Sequence, residues 1–155
     1  SQLDRFMLRL DLTYPQAAVE QQILLRYGAD LGGATQVPAD LVVIDRDVVA
    51  AVRTQAEQIH VAVSLIGYVL ELVRASREHP RIELGLSTRG ALAMVRAARV
   101  LAGLRGADFA TADDIKQAAR WAMPHRLRLS PQASIEGDTD TALVESILSS
   151  TPVPR

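Results

Sequence analysis

Near the start of the chain Phe6, Leu8, Leu10 and Leu12 fall on alternate positions, interleaved with Met7, Arg9 and Asp11. This is the period-two pattern of a half-buried strand. Only short apolar runs near Val42 and Val61 approach it elsewhere. A lone strand leaves its ladder donors and acceptors unpaired, so the pattern predicts a sheet whose other strands lie upstream. After Tyr14 and Pro15 a helix is expected to about Arg26, with Val19, Ile23 and Leu24 on one face. Gly28, Gly32, Gly33 and Pro38 then mark a loop and the boundary to a second unit.

From Asp45 onward the apolar spacing is helical throughout. Val48, Val49 and Val52 share one face, and Leu65, Ile66, Val69, Leu72 and Val73 define a helix from about Val63 to Arg77. The strongest pattern follows Ser87, a good N-cap. Ala91, Met94, Val95, Ala98, Leu101 and Ala102 form its stripe, with Arg89, Arg96 and Arg99 on the other side. Thr111, followed three residues later by Asp114, predicts a capped helix with Ile115, Ala118, Ala119 and Ala122 turned inward, ending at Pro124. A short helix from about Thr139 to Ser149 completes a mainly α chain.

Composition adds mostly exclusions. The chain has 155 residues, a net charge of −1 and no cysteine, which rules out disulfides and thiol chemistry and makes the cytoplasm the expected compartment. Near-neutral charge argues against a nucleic-acid partner, and no apolar run approaches the roughly 18 residues of a membrane span. No glycine-rich loop ending in Lys-Ser or Lys-Thr is present to cradle a triphosphate. His60, His79 and His125 are too scattered to predict a metal site, and Asp113/Asp114 and Asp138/Asp140 read as caps and loop residues.

Two arginines stand out by position. Arg5 precedes the expected strand, where a planar, permanently charged guanidinium can reach a phosphoryl group across a subunit interface; the plainer reading is a surface residue paired with Asp4 or a neighbour. Arg89 lies in the first turn of the strongest helix, where a cation opposes the macrodipole and an anionic ligand would be favoured. The plainer reading there is a solvated side chain. Arg96 and Arg99 read as a solvated or interface surface.

Taken in order, these segments resemble the C-terminal part of the MoxR-family AAA+ ATPases. Gln2-Leu3-Asp4-Arg5-Phe6 resembles that family's arginine-finger segment. The stretches from Ile59 to Tyr68 and from Leu72 to Pro80 resemble its lid, as do Leu104-Arg105-Gly106, Thr111 with Asp113 and Asp114, and His125-Arg126-Leu127. Gly85-Leu86-Ser87-Thr88-Arg89-Gly90 is similar to its Gly-Ala-Ser-Pro-Arg-Ala motif, whose arginine is the sensor-2 residue. Leu86 and Thr88 depart from that motif, and Ala62 and Gly67 stand where Ser and Asp are common.

The resemblance implies residues 1–32 as the end of an AAA+ core (a strand, a helix and the start of a linker) and residues 33–155 as a helical lid bundle with a C-terminal tail. It implies ATP with magnesium bound in the intact protein but not held tightly by this portion, which alone is expected to be inactive. It further implies Arg89 reaching the phosphates of its own subunit, Arg5 completing the neighbour's site, a homo-oligomeric ring of six, and chaperone-like remodelling of partners such as von Willebrand factor A domain proteins. The competing expectation is a helical adaptor or DNA-binding protein without nucleotide chemistry.

Overall fold

The computed structural model describes residues 2–29 and 41–154; the loop expected over Gly32, Gly33 and Pro38, and the boundary placed at residue 32, lie outside them. The chain divides into two units, one formed by Ser1–Leu10 with Ala50–Arg155 and the other by Asp11–Val49. The smaller unit contains helix α1 (Ala17–Tyr27) and the first residues of α2 (Arg46–Gln58). The larger contains the rest of α2, then α3 (Val63–Glu78), strand β1 (Ile82–Leu84), α4 (Thr88–Leu104), α5 (Ala112–Ala122), strand β2 (Arg128–Leu129), α6 (Pro131–Ile135) and α7 (Asp140–Ser150).

The helical periodicity is realised closely, and the strand is not. Residues 6–16 carry no strand, and a single turn of 3-10 helix over Gln2–Arg5 precedes them. An alternating segment forms a strand only where a sheet edge pairs its backbone and covers one face. Here Leu10 and Leu12 are 73% and 97% exposed, and the backbone is instead tied to the end of α5, Arg9 N–H donating to the Trp121 carbonyl at 2.9 Å.

The core of the larger unit lies among α3, α4, α5 and α7. Leu72, Leu86, Met94, Ile115 and Met123 are fully enclosed, each burial of such a side chain stabilising the fold by about 1.5–3 kcal/mol. α4 and α5 form the most extensive helix pair, and their buried positions are mostly alanine: Ala93, Ala97, Ala98 and Ala102 on one, Ala118, Ala119 and Ala122 on the other.

Local chemistry fixes the helix ends. α3 starts at Ala62 without a side-chain cap, as that residue's departure from the family pattern implies. α4 ends where Gly106 takes φ +73°: Ala107 N–H reaches the Ala102 carbonyl at 3.0 Å and Gly106 N–H the Gly103 carbonyl at 2.9 Å, satisfying carbonyls that the helix leaves open.

α5 opens on a complete capping box between Thr111 and Asp114. The Asp114 carboxylate accepts from Thr111 N–H at 2.8 Å and its hydroxyl at 2.9 Å, and from Arg105 at 2.6 and 3.2 Å. Burial alone would raise the Asp114 pKa. The Arg105 guanidinium and the two Thr111 donors outweigh it and hold the carboxyl below its ordinary value.

β1 and β2 pair antiparallel, Ile82 opposite Leu129 and Leu84 opposite Arg128. This two-stranded ribbon was not evident in the sequence. It brings the turn over Pro124–Arg126, just before β2, beside the segment Gly85–Ser87, just after β1. The start of α4 is thereby set next to Arg126.

Candidate functional site

The start of α4 is fixed from below by α3. Ser76 Oγ accepts Leu86 N–H at 2.9 Å and donates to the Val73 carbonyl at 2.7 Å, while Arg77 Nε donates to the Leu86 carbonyl at 2.9 Å. Leu86 is thus held at both its backbone groups, and its side chain is fully buried. Ser87 then caps the helix, its hydroxyl oxygen accepting Gly90 N–H at 3.1 Å. With this geometry Arg89 projects from the first turn, exposed.

The N-terminal segment docks on the same corner. Asp4 Oδ1 accepts from Ser87 Oγ at 2.9 Å and from Arg126 Nε at 3.2 Å. Arg126 is only 5% exposed and grips this segment through its backbone: its guanidinium donates to the carbonyls of Asp4 at 3.2 Å and Met7 at 3.0 Å, to that of Phe6, and to Ala122 at 2.5 Å. Burial lowers the Arg126 pKa, and Asp4 opposes the shift. His125 adds a contact between Nε2 and the Phe6 carbonyl at 3.0 Å. Because a carbonyl only accepts, Nε2 carries the proton there; Nδ1 is buried without a hydrogen-bond partner among the described residues. Burial also lowers the His125 pKa.

As a result, Arg5 and Arg89 line one pocket of about 130 Å³, together with Arg96, Arg126, Met7, Leu92 and Ala93. Arg126 is neutralised by Asp4. Arg5, Arg89 and Arg96 form no ion pair with any described residue; Arg5 rests over the Phe6 ring at 5.5 Å. Asp4, the partner considered for Arg5, is taken by Arg126 and Ser87. Charge, donor geometry and the helix dipole all favour a phosphate-like oxygen at guanidiniums left without carboxylates beside a helix N-terminus. Both arginines singled out in the sequence therefore meet at one place.

The other sequence candidates resolve as structural groups. Asp113 and Asp114 open α5. Asp138 pairs with Arg81 and Asp140 with Arg9, while Arg99 donates to the Glu57 carbonyl at 2.6 Å. No group of three or more His, Cys, Asp or Glu converges among the described residues, and no helix of the described residues is long and apolar enough to cross a membrane. Sequence reasoning missed two members of the corner. Arg126 was noted only as part of His125-Arg126-Leu127, and Arg96 only as surface. The available signal was that His125 and Arg126 immediately follow the helix-stopping Pro124.

Residues 74–147 match the family described as AAA lid domain. The chain is 32% identical over 99% of its length to the uncharacterized protein YeaC of Bacillus subtilis, spanning 47% of that protein. It is 26% identical over its whole length to Chaperone MoxR1 of Mycobacterium tuberculosis, spanning 42% of it. A solved structure of a proposed ATPase from Cytophaga hutchinsonii superimposes on 99% of the chain with a TM-score of 0.83 and 28% identity, covering 48% of that protein. The chain therefore spans about half the length of these relatives.

Proposed function

Because the chain belongs to the MoxR-type AAA+ ATPases and carries their lid, we propose that Arg5 and Arg89 grip the phosphates of one ATP as that ATPase turns over. The carrying observation is the shared pocket, in which Arg5, Arg89 and Arg96 have no acid partner among the described residues. On this reading residues 1–32 close the nucleotide-binding core, residues 33–155 form the lid, and ATP sits between them. The sequence-based expectation assigned Arg89 to its own subunit's nucleotide and Arg5 to the neighbour's. One pocket for both favours a single nucleotide instead.

The chemistry asked of these residues is electrostatic. Each guanidinium offers donors in a plane that matches a phosphoryl group's oxygens. Charge spreads over those oxygens as the terminal phosphoryl group transfers, so donors already aimed at them lower the barrier. Magnesium, when bound with ATP, supplies further charge neutralisation at the phosphates. We assign its protein ligands to the nucleotide-binding core, outside the corner described above. Turnover in a homo-oligomeric ring, a hexamer in the cytoplasm, drives chaperone-like maturation of a partner with a von Willebrand factor A domain; similarity to Chaperone MoxR1 supports the chaperone part.

The test uses the intact ATPase. Arg5→Ala and Arg89→Ala should each cut turnover by about 1000-fold, the scale of a lost arginine finger. Each variant is then mixed with a subunit unable to bind ATP. If both arginines serve one nucleotide, the two mixtures behave alike, both regaining activity or both staying inactive. Rescue of one and not the other would separate their sites, and unchanged turnover in either single variant would remove that residue from the phosphates.

A further inference from the structure

We propose that Arg126, acting with Asp4 and Ser87, is a positioning residue that presents Arg5 to the nucleotide and keys that presentation to the first turn of α4. The inference rests on the phosphate-binding reading of Arg5 and goes beyond it to the group that aims the side chain.

A guanidinium has five N–H donors, and all of Arg126's are committed. Nε takes the Asp4 carboxylate, one terminal nitrogen takes the Met7 and Ala122 carbonyls, and the other takes those of Asp4 and Phe6. Four of these contacts fall on residues 4–7, flanking Arg5 on both sides, and the fifth anchors the group to the end of α5. Arg5 itself makes no ion pair with a described residue, so its placement is inherited from its neighbours. The Asp4 carboxylate that closes on Arg126 also accepts a hydrogen bond from the Ser87 hydroxyl, whose oxygen in turn accepts the Gly90 N–H. Anything that shifts the first turn of α4, where Arg89 meets its ligand, therefore pulls on Asp4 and so on Arg5. Lysine, with three donors on a single atom, cannot reproduce this fork.

The experiment compares the intact ATPase with its Arg126→Lys, Asp4→Ala and Leu143→Ala variants by amide exchange and steady-state kinetics. Leu143→Ala is a core change outside the pocket lining that controls for lost stability. Loss of the grip should speed exchange of the Phe6 and Arg9 amides about tenfold or more in Arg126→Lys and Asp4→Ala, and in Leu143→Ala no more than in the rest of the chain. It should lower kcat about 100-fold, as a misplaced catalytic group does, with KM within about threefold of the parent. Unchanged exchange at those amides in both variants would overturn the proposal. So would faster exchange with kcat retained while Arg5→Ala abolishes turnover. Retained turnover in Arg5→Ala would instead sink the underlying reading of Arg5, and the relay to the nucleotide with it, leaving the exchange result to say whether Arg126 holds the segment.

Discussion

Gly90→Ala adds one methyl group at the most crowded point of the corner. A Cβ there would lie 2.5 Å from Leu86 Cδ1, 2.8 Å from Leu86 Cγ and 2.9 Å from Arg126 Cδ, where ordinary contact begins at 3.4 Å. Leu86 cannot easily yield, since both its backbone groups are tied to α3. Overpacking of this kind costs about 1–3 kcal/mol, and replacing a helical glycine by alanine returns up to about 1 kcal/mol. The net expectation is a loss of about 1–2 kcal/mol. Leu86→Ala alone, which empties a fully buried site, should cost about 2–5 kcal/mol.

The double variant is the informative one. The volume vacated by Leu86 accommodates the new methyl, so the two losses should fall short of additivity by about 1–2 kcal/mol. The resembling motif carries alanine at both places, where this chain has leucine and glycine: the same space filled from the other side. Urea unfolding of the four proteins measures the cycle, and Gly90→Ala should shift the midpoint down by about 0.5–1 M. A Gly90→Ala protein as stable as its parent, or a double variant whose loss equals the sum of the singles, would refute the reasoning.

Two further outcomes are expected. Gly85→Ala should cost more than Gly90→Ala, because its Cβ would lie 2.7 Å from backbone atoms of Arg77; a loss of about 3 kcal/mol, or roughly 6–12 °C in melting temperature, is anticipated by calorimetry. Asp114→Asn should cost about 1–2 kcal/mol at neutral pH by weakening the α5 cap and its Arg105 contacts. Since folding depresses the Asp114 pKa, its contribution is fully present above the unfolded value of about 4 and is lost as pH falls through the folded one. Urea midpoints of parent and variant should therefore converge in acid, and a gap that persists unchanged at pH 2 would count against the assignment.

The helices were legible because their signals are local. Ser87 and Thr111 announce the starts of α4 and α5 through side chains that reach only three residues onward, and the apolar stripe of α4 declares its buried face. The segment over residues 6–12 misled because alternation reports a half-covered backbone without saying what covers it. The sequence likewise pointed to Arg5 and Arg89 but not to their meeting, which depends on bonds between Arg126 and residues 119 to 122 positions away. No periodicity encodes such a pairing, and the ribbon of β1 and β2 that makes it possible is too short to leave a pattern.

The alanine faces of α4 and α5 have a mechanical consequence. Alanine has no rotamers, so ordering it costs no side-chain entropy, and at the alanine positions the seam has no alternative side-chain packing through which to relax. Long side chains at a helix contact can absorb a displacement by changing conformation; methyl groups cannot. A push on the first turn of one helix is thus absorbed mainly where Met94 and Ile115 interrupt the methyl seam, and the pair is stiffer than one built from long side chains throughout.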